Sequence, residues 1–389
     1  MRALTIGLVC LSVAGLFACS NGSGPEQEDE AIRAGGGTSG TGTGGASAMA
    51  GRGGNGGASA ETPDDLSLAG ANAGGSSAGG TNGGGTGGSS MADSGAPLSP
   101  ASVCPPGPYA ANPVPAGATP APVCGGMTFT EGPVWFAERN TLYFSDFSFT
   151  NVAANTSGRI LSFTPGGQCQ VFIAAAGTNG LAIAPDGNLL GCRHSDRTLT
   201  IFDLETQAPT VLIPNNAGVA FNSPNDVVVR SDGNLYFTDP TFLLGGRPSP
   251  QPARAYRRDP SGALTPIGQD SSTNGIALSP DESRLYLARL GGGQNNTIFV
   301  YELDEAGTPT NPQPFANAGS DGMAIDCAGN VYITQNGVQI FNSDGDPIGT
   351  IAAPGAANIA FGGANRRTLY ITAAEELLAV ELAIPGLPY

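Results

Sequence analysis

Six acidic or amide residues recur at one phase of this chain. Glu131, Asn179, Asn225, Asn274, Asp321 and Asn358 stand 10 or 11 residues ahead of six apolar pairs: Leu142-Tyr143, Leu189-Leu190, Leu235-Tyr236, Leu285-Tyr286, Val331-Tyr332 and Leu369-Tyr370. Brought to one point, two carboxylates and four carboxamides form an oxygen-only donor set. That set suits a hard cation with six to eight oxygen ligands, calcium before magnesium; another divalent ion such as Mg2+ or Zn2+ is the alternative. Without a cation the two acids repel at short range, and one takes up a proton. A cation so held polarises a carbonyl and acidifies water, and a carboxylate must then accept the proton. Asp321 is the first candidate for that base and Asp226, beside Asn225, the second. Asn179 is a candidate substrate contact.

The elements that must position these residues follow from the spacing. The apolar pairs lie 47, 46, 50, 46 and 38 residues apart, and turn residues such as Asp186-Gly187-Asn188 and Asp232-Gly233-Asn234 precede them. Runs such as Val227–Arg230, Leu235–Thr238 and Phe299–Leu303 have strand length and β-branched or aromatic content. About four strands per period, repeated six times, predict an all-β, six-bladed β-propeller with a metal in the central channel. Each polar residue then sits just ahead of the innermost strand of its blade, facing one end of the channel. The short last interval and the apolar run Ala379–Leu382 predict that strands from both ends of the domain share one blade. A β-sandwich explains the even spacing poorly.

Composition narrows the chemistry. A net charge of −16 argues against nucleic acid or an anionic membrane surface as a partner. His194 is the only histidine, which excludes a histidine-rich zinc site. No Gly-x-Ser-x-Gly elbow occurs in the region expected to fold, so the usual serine-hydrolase route lacks its motif. Of seven cysteines, Cys104 and Cys124 form the obvious local pair, and the odd number beyond the leader leaves at least one buried thiol.

The chain divides into three expected parts. Residues 1–18 read as a lipoprotein signal peptide: Arg2, an apolar run, then Leu16-Phe17-Ala18-Cys19, which resembles a lipobox. Ser20 after that cysteine fits an outer-membrane address, on the periplasmic or cell-surface side. Residues 19–103, rich in Gly, Ser and Ala, read as a disordered tether, and 104–389 as the propeller. The expectation is thus an exported chain, lipid-anchored to a bacterial membrane, with no nucleic-acid partner and no protein partner inferred.

Glu131-Gly-Pro-Val-Trp135, Asn222-Ser-Pro-Asn-Asp226, Asp232-Gly-Asn-Leu-Tyr-Phe-Thr-Asp-Pro240, Asn274-Gly-Ile-Ala-Leu-Ser-Pro-Asp281 and Ser320-Asp-Gly-Met323 resemble the senescence marker protein / gluconolactonase / luciferin-regenerating enzyme-like family. The resemblance implies a six-bladed propeller with a divalent metal, usually calcium, and hydrolysis of small-molecule lactones or related esters by metal-activated water. It implies Glu131, Asn225, Asn274 and Asp321 as metal ligands, four positions that the spacing also selects. His194-Ser-Asp-Arg197 is similar to a stretch of bacterial members, which implies His194 and Arg197 at the entrance. Tyr236, Asp239 and Arg289, at the ends of second strands, are further candidate substrate contacts, and Pro240 and Phe242 follow in the loop where a wall of the pocket would form. One departure is that Ser223 stands where some sugar-lactone hydrolases carry arginine. The fold also accommodates a non-enzymatic surface propeller that binds a protein or carbohydrate and keeps the metal for structure.

Overall fold

In the computed structural model, the described residues are 104–154, 158–269, 271–290 and 296–387, with two short strands near the start, Leu11–Val13 and Leu16–Ala18, that pair antiparallel. The remainder of the expected signal segment and tether lies outside the described residues.

Alternating apolar runs and tight turns produce six four-stranded antiparallel sheets. Blade one runs through Thr130–Phe136, Thr141–Phe147, Gly158–Phe163 and Gln170–Ile173. Blade two starts at Thr178–Ile183, blade three at Val227–Val229, blade four at Ser272–Leu278, blade five at Met323–Ile325 and blade six at Ala356–Gly362. These six first strands touch their neighbours in a closed cycle, so they are the innermost strands of a six-bladed propeller. The expected sharing of one blade is present: the outer strand of blade six is Ala121–Gly125, from before blade one, paired with Glu376–Glu381. Closure leaves no sheet edge open between first and last blade.

The turns explain why the same phrase recurs. Asp186, Asp232, Asp281 and Asp326 each accept, through Oδ1, the N–H two residues on, at 2.9–3.1 Å. These are side-chain-closed turns between the first and second strands of successive blades. The apolar pairs that follow are buried between blades. Leu142, Leu189, Leu235, Leu285, Val331 and Leu369 are all 0% exposed, which makes each blade interface a hydrophobic core.

The local cysteine pairing is overturned. Cys104 bonds Cys327, 223 residues away, and Cys124 bonds Cys169. Twenty residues of separation said nothing of proximity, because Cys124 belongs to the closing strand. Cys104 instead packs beside Cys327 against blade five. Among the described residues Cys192 is the free thiol, and it is buried. Non-reducing peptide mapping should therefore recover Cys104–Cys327 and Cys124–Cys169 links, with Cys192 alkylated only after unfolding. A recovered Cys104–Cys124 peptide would contradict this arrangement.

Candidate functional site

The six in-phase residues come to the axis through interruptions in the innermost strands. Strand pairing slips between Glu131 and Val134, Thr178 and Leu181, Thr273 and Ile276, and Ala356 and Asn358. Each slip is a bulge that re-aims a side chain. In blades three and five the strand begins only after the polar residue. Asn225 and Asp321 occupy matching places there, their N–H groups donating to Thr238 O at 2.8 Å and Thr334 O at 3.0 Å.

Small residues and hydroxyls lock this ring. Glycine follows the polar residue in blades one, two, four and five, where the next blade's backbone arrives. A Cβ on Gly132 would lie 2.2 Å from Asn179 O, on Gly180 2.5 Å from Asn225 O, on Gly275 2.9 Å from Asp321 O, and on Gly322 2.7 Å from Asn358 Cα. In blade three the corresponding position is Asp226, so a third carboxylate enters where the others have none. Hydroxyls on the second strands hold the same backbone. Ser145 donates to Asn179 O at 2.6 Å, Thr238 accepts from Asp226 N at 3.1 Å, Thr334 donates to Ala357 O at 2.6 Å, and Thr372 accepts from Asn358 N at 3.1 Å.

The electrostatics at the axis are strained. Burial, then the charges of Asp321 and Asp226, push the Glu131 carboxyl well above its ordinary range. Burial and then Asp321 push Asp226 up to about 7, against the lowering effect of its bond from Asn358. That bond, Asn358 Nδ2 to Asp226 Oδ1 at 3.0 Å, joins opposite blades. Burial raises Asp321 to about 7 as well, although Asn274 Nδ2 donates to its Oδ1 at 2.7 Å. Asp321 is the partly exposed member of the three acids.

Glu131, Asn179, Asn225, Asn274 and Asp321 line one pocket. The Oδ1 atoms of Asn179 and Asn274 are buried there without a hydrogen-bond partner. Among the described residues no three Asp, Glu, His or Cys side chains form a metal-ligand cluster by themselves; the candidate set mixes carboxylates with carboxamides. Its chemistry fits a hard cation on two counts: orphaned amide oxygens, and acids that burial and mutual repulsion oppose ionising. The rest of the pocket is apolar: Phe129, Phe147, Phe149, Phe242 and Leu243. Of these, Phe242 is the one that its place after a second strand singles out in the sequence. Phe129 sits just before the first innermost strand, Phe147 ends the second strand of that blade, Phe149 follows it, and Leu243 adjoins Phe242, all places that the blade repeat marks out.

The other expected substrate contacts are not brought to this pocket. His194 is fully buried behind Phe147, ring centroids 4.9 Å apart; burial, then Arg247 and Arg193, lower it to about 3. Arg197 donates to Pro248 O. Tyr236 is fully buried and donates to Gly307 O at 2.6 Å. Asp239 is buried and accepts the N–H groups of Asn222 and Ser223 at 2.9 and 2.7 Å, anchoring the segment ahead of Asn225. Arg289 donates to Ser271 and lies over the Phe299 ring. Asp226 is in the ring but is not part of the pocket lining.

Known proteins share this architecture. A gluconolactonase of Zymomonas mobilis is 33% identical over 281 residues, covering 65% of this chain and 78% of that protein. A pentonolactonase of Haloferax volcanii is 25% identical over 258 residues, covering 63% and 81%. The solved structure of a Xanthomonas campestris gluconolactonase superposes with a TM-score of 0.60 at 28% identity, over 72% of this chain and 99% of that one. The model of the SMP-30/gluconolactonase/LRE-like region matches residues 129–375, which span blades one to five and the two inner strands of blade six, leaving out its outer strands Glu376–Glu381 and Ala121–Gly125. The chain therefore belongs to the SMP-30/gluconolactonase/LRE-like family.

Proposed function

We propose that this protein is a hydrolase of lactones or related esters that works with a divalent cation, calcium first, held by Glu131, Asn225, Asn274 and Asp321. The observation that carries the reading is the pocket floor: two repelling carboxylates and two unpartnered amide oxygens gathered in one pocket beneath apolar side chains. The gluconolactonase and pentonolactonase relatives support the reaction class. The leader and lipobox-like sequence support an exported, lipid-anchored enzyme, with residues 19–103 as its tether.

A lactone is an ester closed into a ring. Its hydrolysis joins water oxygen to the carbonyl carbon, breaks the ring C–O bond and delivers one water proton to the leaving oxygen, giving a hydroxy acid. A bound cation would supply polarisation of the carbonyl and a lowered pKa for water. Asp321, in the pocket lining and reached by solvent, accepts the water proton and returns it to the leaving oxygen. Asn274 orients Asp321 through the 2.7 Å bond. Asp226, with Oδ1 held by Asn358, positions the ring and tunes its charge. Asn179 Oδ1 remains free to meet a substrate or a cation. The phenylalanines around the mouth exclude bulk water and so strengthen each of these interactions.

Two predictions follow from the buried acids. Asp226 and Asp321 rise from an ordinary 3.8 to about 7, so the folded state binds more protons than the unfolded one between these values. Stability from them is present below about 4 and is lost as pH rises towards 7. In chelator, the melting temperature should fall across that window; saturating calcium should flatten the fall. Asp239, also raised to about 7 chiefly by burial, contributes a slope that calcium leaves in place. A melting temperature indifferent to calcium and to every other divalent ion would remove the cation from the reading. Second, Glu131→Gln takes away a buried acid whose ionisation burial and the neighbouring carboxylates oppose. At pH 7 in chelator it should melt higher than the parent chain, while calcium stabilises it less and lactone turnover drops at least ~100-fold. Full turnover in a folded Glu131→Gln chain would exclude the proposed site.

A further inference from the structure

The polar floor of the pocket is capped by a layer of different chemistry. Phe147, Val152 and Leu243, with Phe129 and Phe242 against them, form a hydrophobic cluster separate from the cores between blades. Two loops build it, one following Phe147 and one following Asp239. They meet closely: a Cβ on Gly245 would lie 2.7 Å from Val152 Cγ2. Phe149 completes the rim. Its ring lies 4.8 Å from Phe129 and 5.5 Å from Phe147, yet the residue is 42% exposed at the pocket opening. A large aromatic surface is thus left open where a ligand enters.

Above that floor, the hydrogen-bonding side chains of the neighbouring loops that could recognise a hydroxylated ligand are turned elsewhere. Arg247 donates to the carbonyls of Leu244, Ser195 and His194. Arg197 donates to Pro248 O. Ser223 is 1% exposed and donates to Pro240 O at 2.7 Å. Among the described residues, none that lines the wall above Glu131 and Asp321 is charged. A polyhydroxylated lactone held against this wall would lose water from its hydroxyls without a partner in return, which is costly. An alkyl or aryl group in the same place gains by leaving water.

Resting on the lactonase reading, we propose that the pocket selects lactones or esters with an apolar substituent next to the reacting group, and disfavours sugar lactones. Phe129, Phe149 and Phe242 form the subsite for that substituent. The lactone carbonyl lies at the polar floor, and the side chain points out along the rim, with its end near Phe149. Specificity of this kind is graded, because each methylene adds only a few-fold.

The test uses the full chain saturated with calcium. We compare glucono-δ-lactone, unsubstituted δ-valerolactone and its 5-pentyl derivative by kcat/KM. In parallel, calorimetry measures the unreactive δ-lactams with and without the pentyl group. The pentyl lactone should exceed both other lactones by at least ~10-fold, and the pentyl lactam should bind at least ~10-fold more tightly than the plain lactam. Phe149→Ser and Phe129→Ser should each shrink both ratios, to within about threefold when combined. If no lactone or ester is turned over but the lactams bind with this preference, the hydrolase reading fails and the apolar subsite stands. Glucono-δ-lactone turned over as well as or better than the pentyl lactone, with the lactams binding alike, overturns the subsite. Preference unchanged by the two serine variants, in folded protein, overturns the assignment to these phenylalanines.

Discussion

Three carboxylates share the axis of the propeller, and among the described residues no basic side chain acts on them. The ion pairs among the described residues, Arg139–Glu205, Arg159–Asp146, Arg193–Asp196 and Arg230–Asp232, all lie elsewhere. Uncompensated buried charge of this kind costs several kcal/mol per ion, so the surrounding backbone has to hold the acids together against repulsion. The means are visible around the ring. Glycines let one blade's backbone press on the next, hydroxyls bridge the interfaces, and Asn358 reaches across to Asp226. The apolar pairs between blades provide the cohesion that this arrangement draws on.

Much of this could be read from spacing alone. A period in the forties fixes blades, and a polar residue at constant phase in a closed repeat has to face the axis. The shared last blade followed from one short interval. Side-chain direction off the repeat was a different matter. Tyr236 and Asp239 looked like pocket wall because they end a second strand, yet Tyr236 is drawn into a blade interface and Asp239 into holding a loop. His194 lies in a loop by sequence but is turned inward behind Phe147. The cysteine partners depended on which blade receives the chain's early strand, a three-dimensional fact that short-range spacing does not carry.

The site has two layers with opposite demands. The floor gathers oxygen atoms that favour a cation, and repeats around the ring supply them nearly symmetrically. The rim breaks that symmetry, since its phenylalanines come mainly from blade one and from the loop after blade three's second strand. Changes in the two rim loops can therefore alter the pocket wall without disturbing the ring or the blade interfaces.

The closing blade has a mechanical side. Any pull on the chain ahead of residue 104 enters the fold at Cys104 and passes across its bond to Cys327 into blade five. The borrowed strand Ala121–Gly125 lies farther along, and its Cys124 is linked to Cys169 of the segment between the outer strands of blade one. Load from the amino-terminal side is thus diverted before it can unzip the strand that seals the ring, and the alignment of the six axial residues is insulated from whatever tugs on the leading segment.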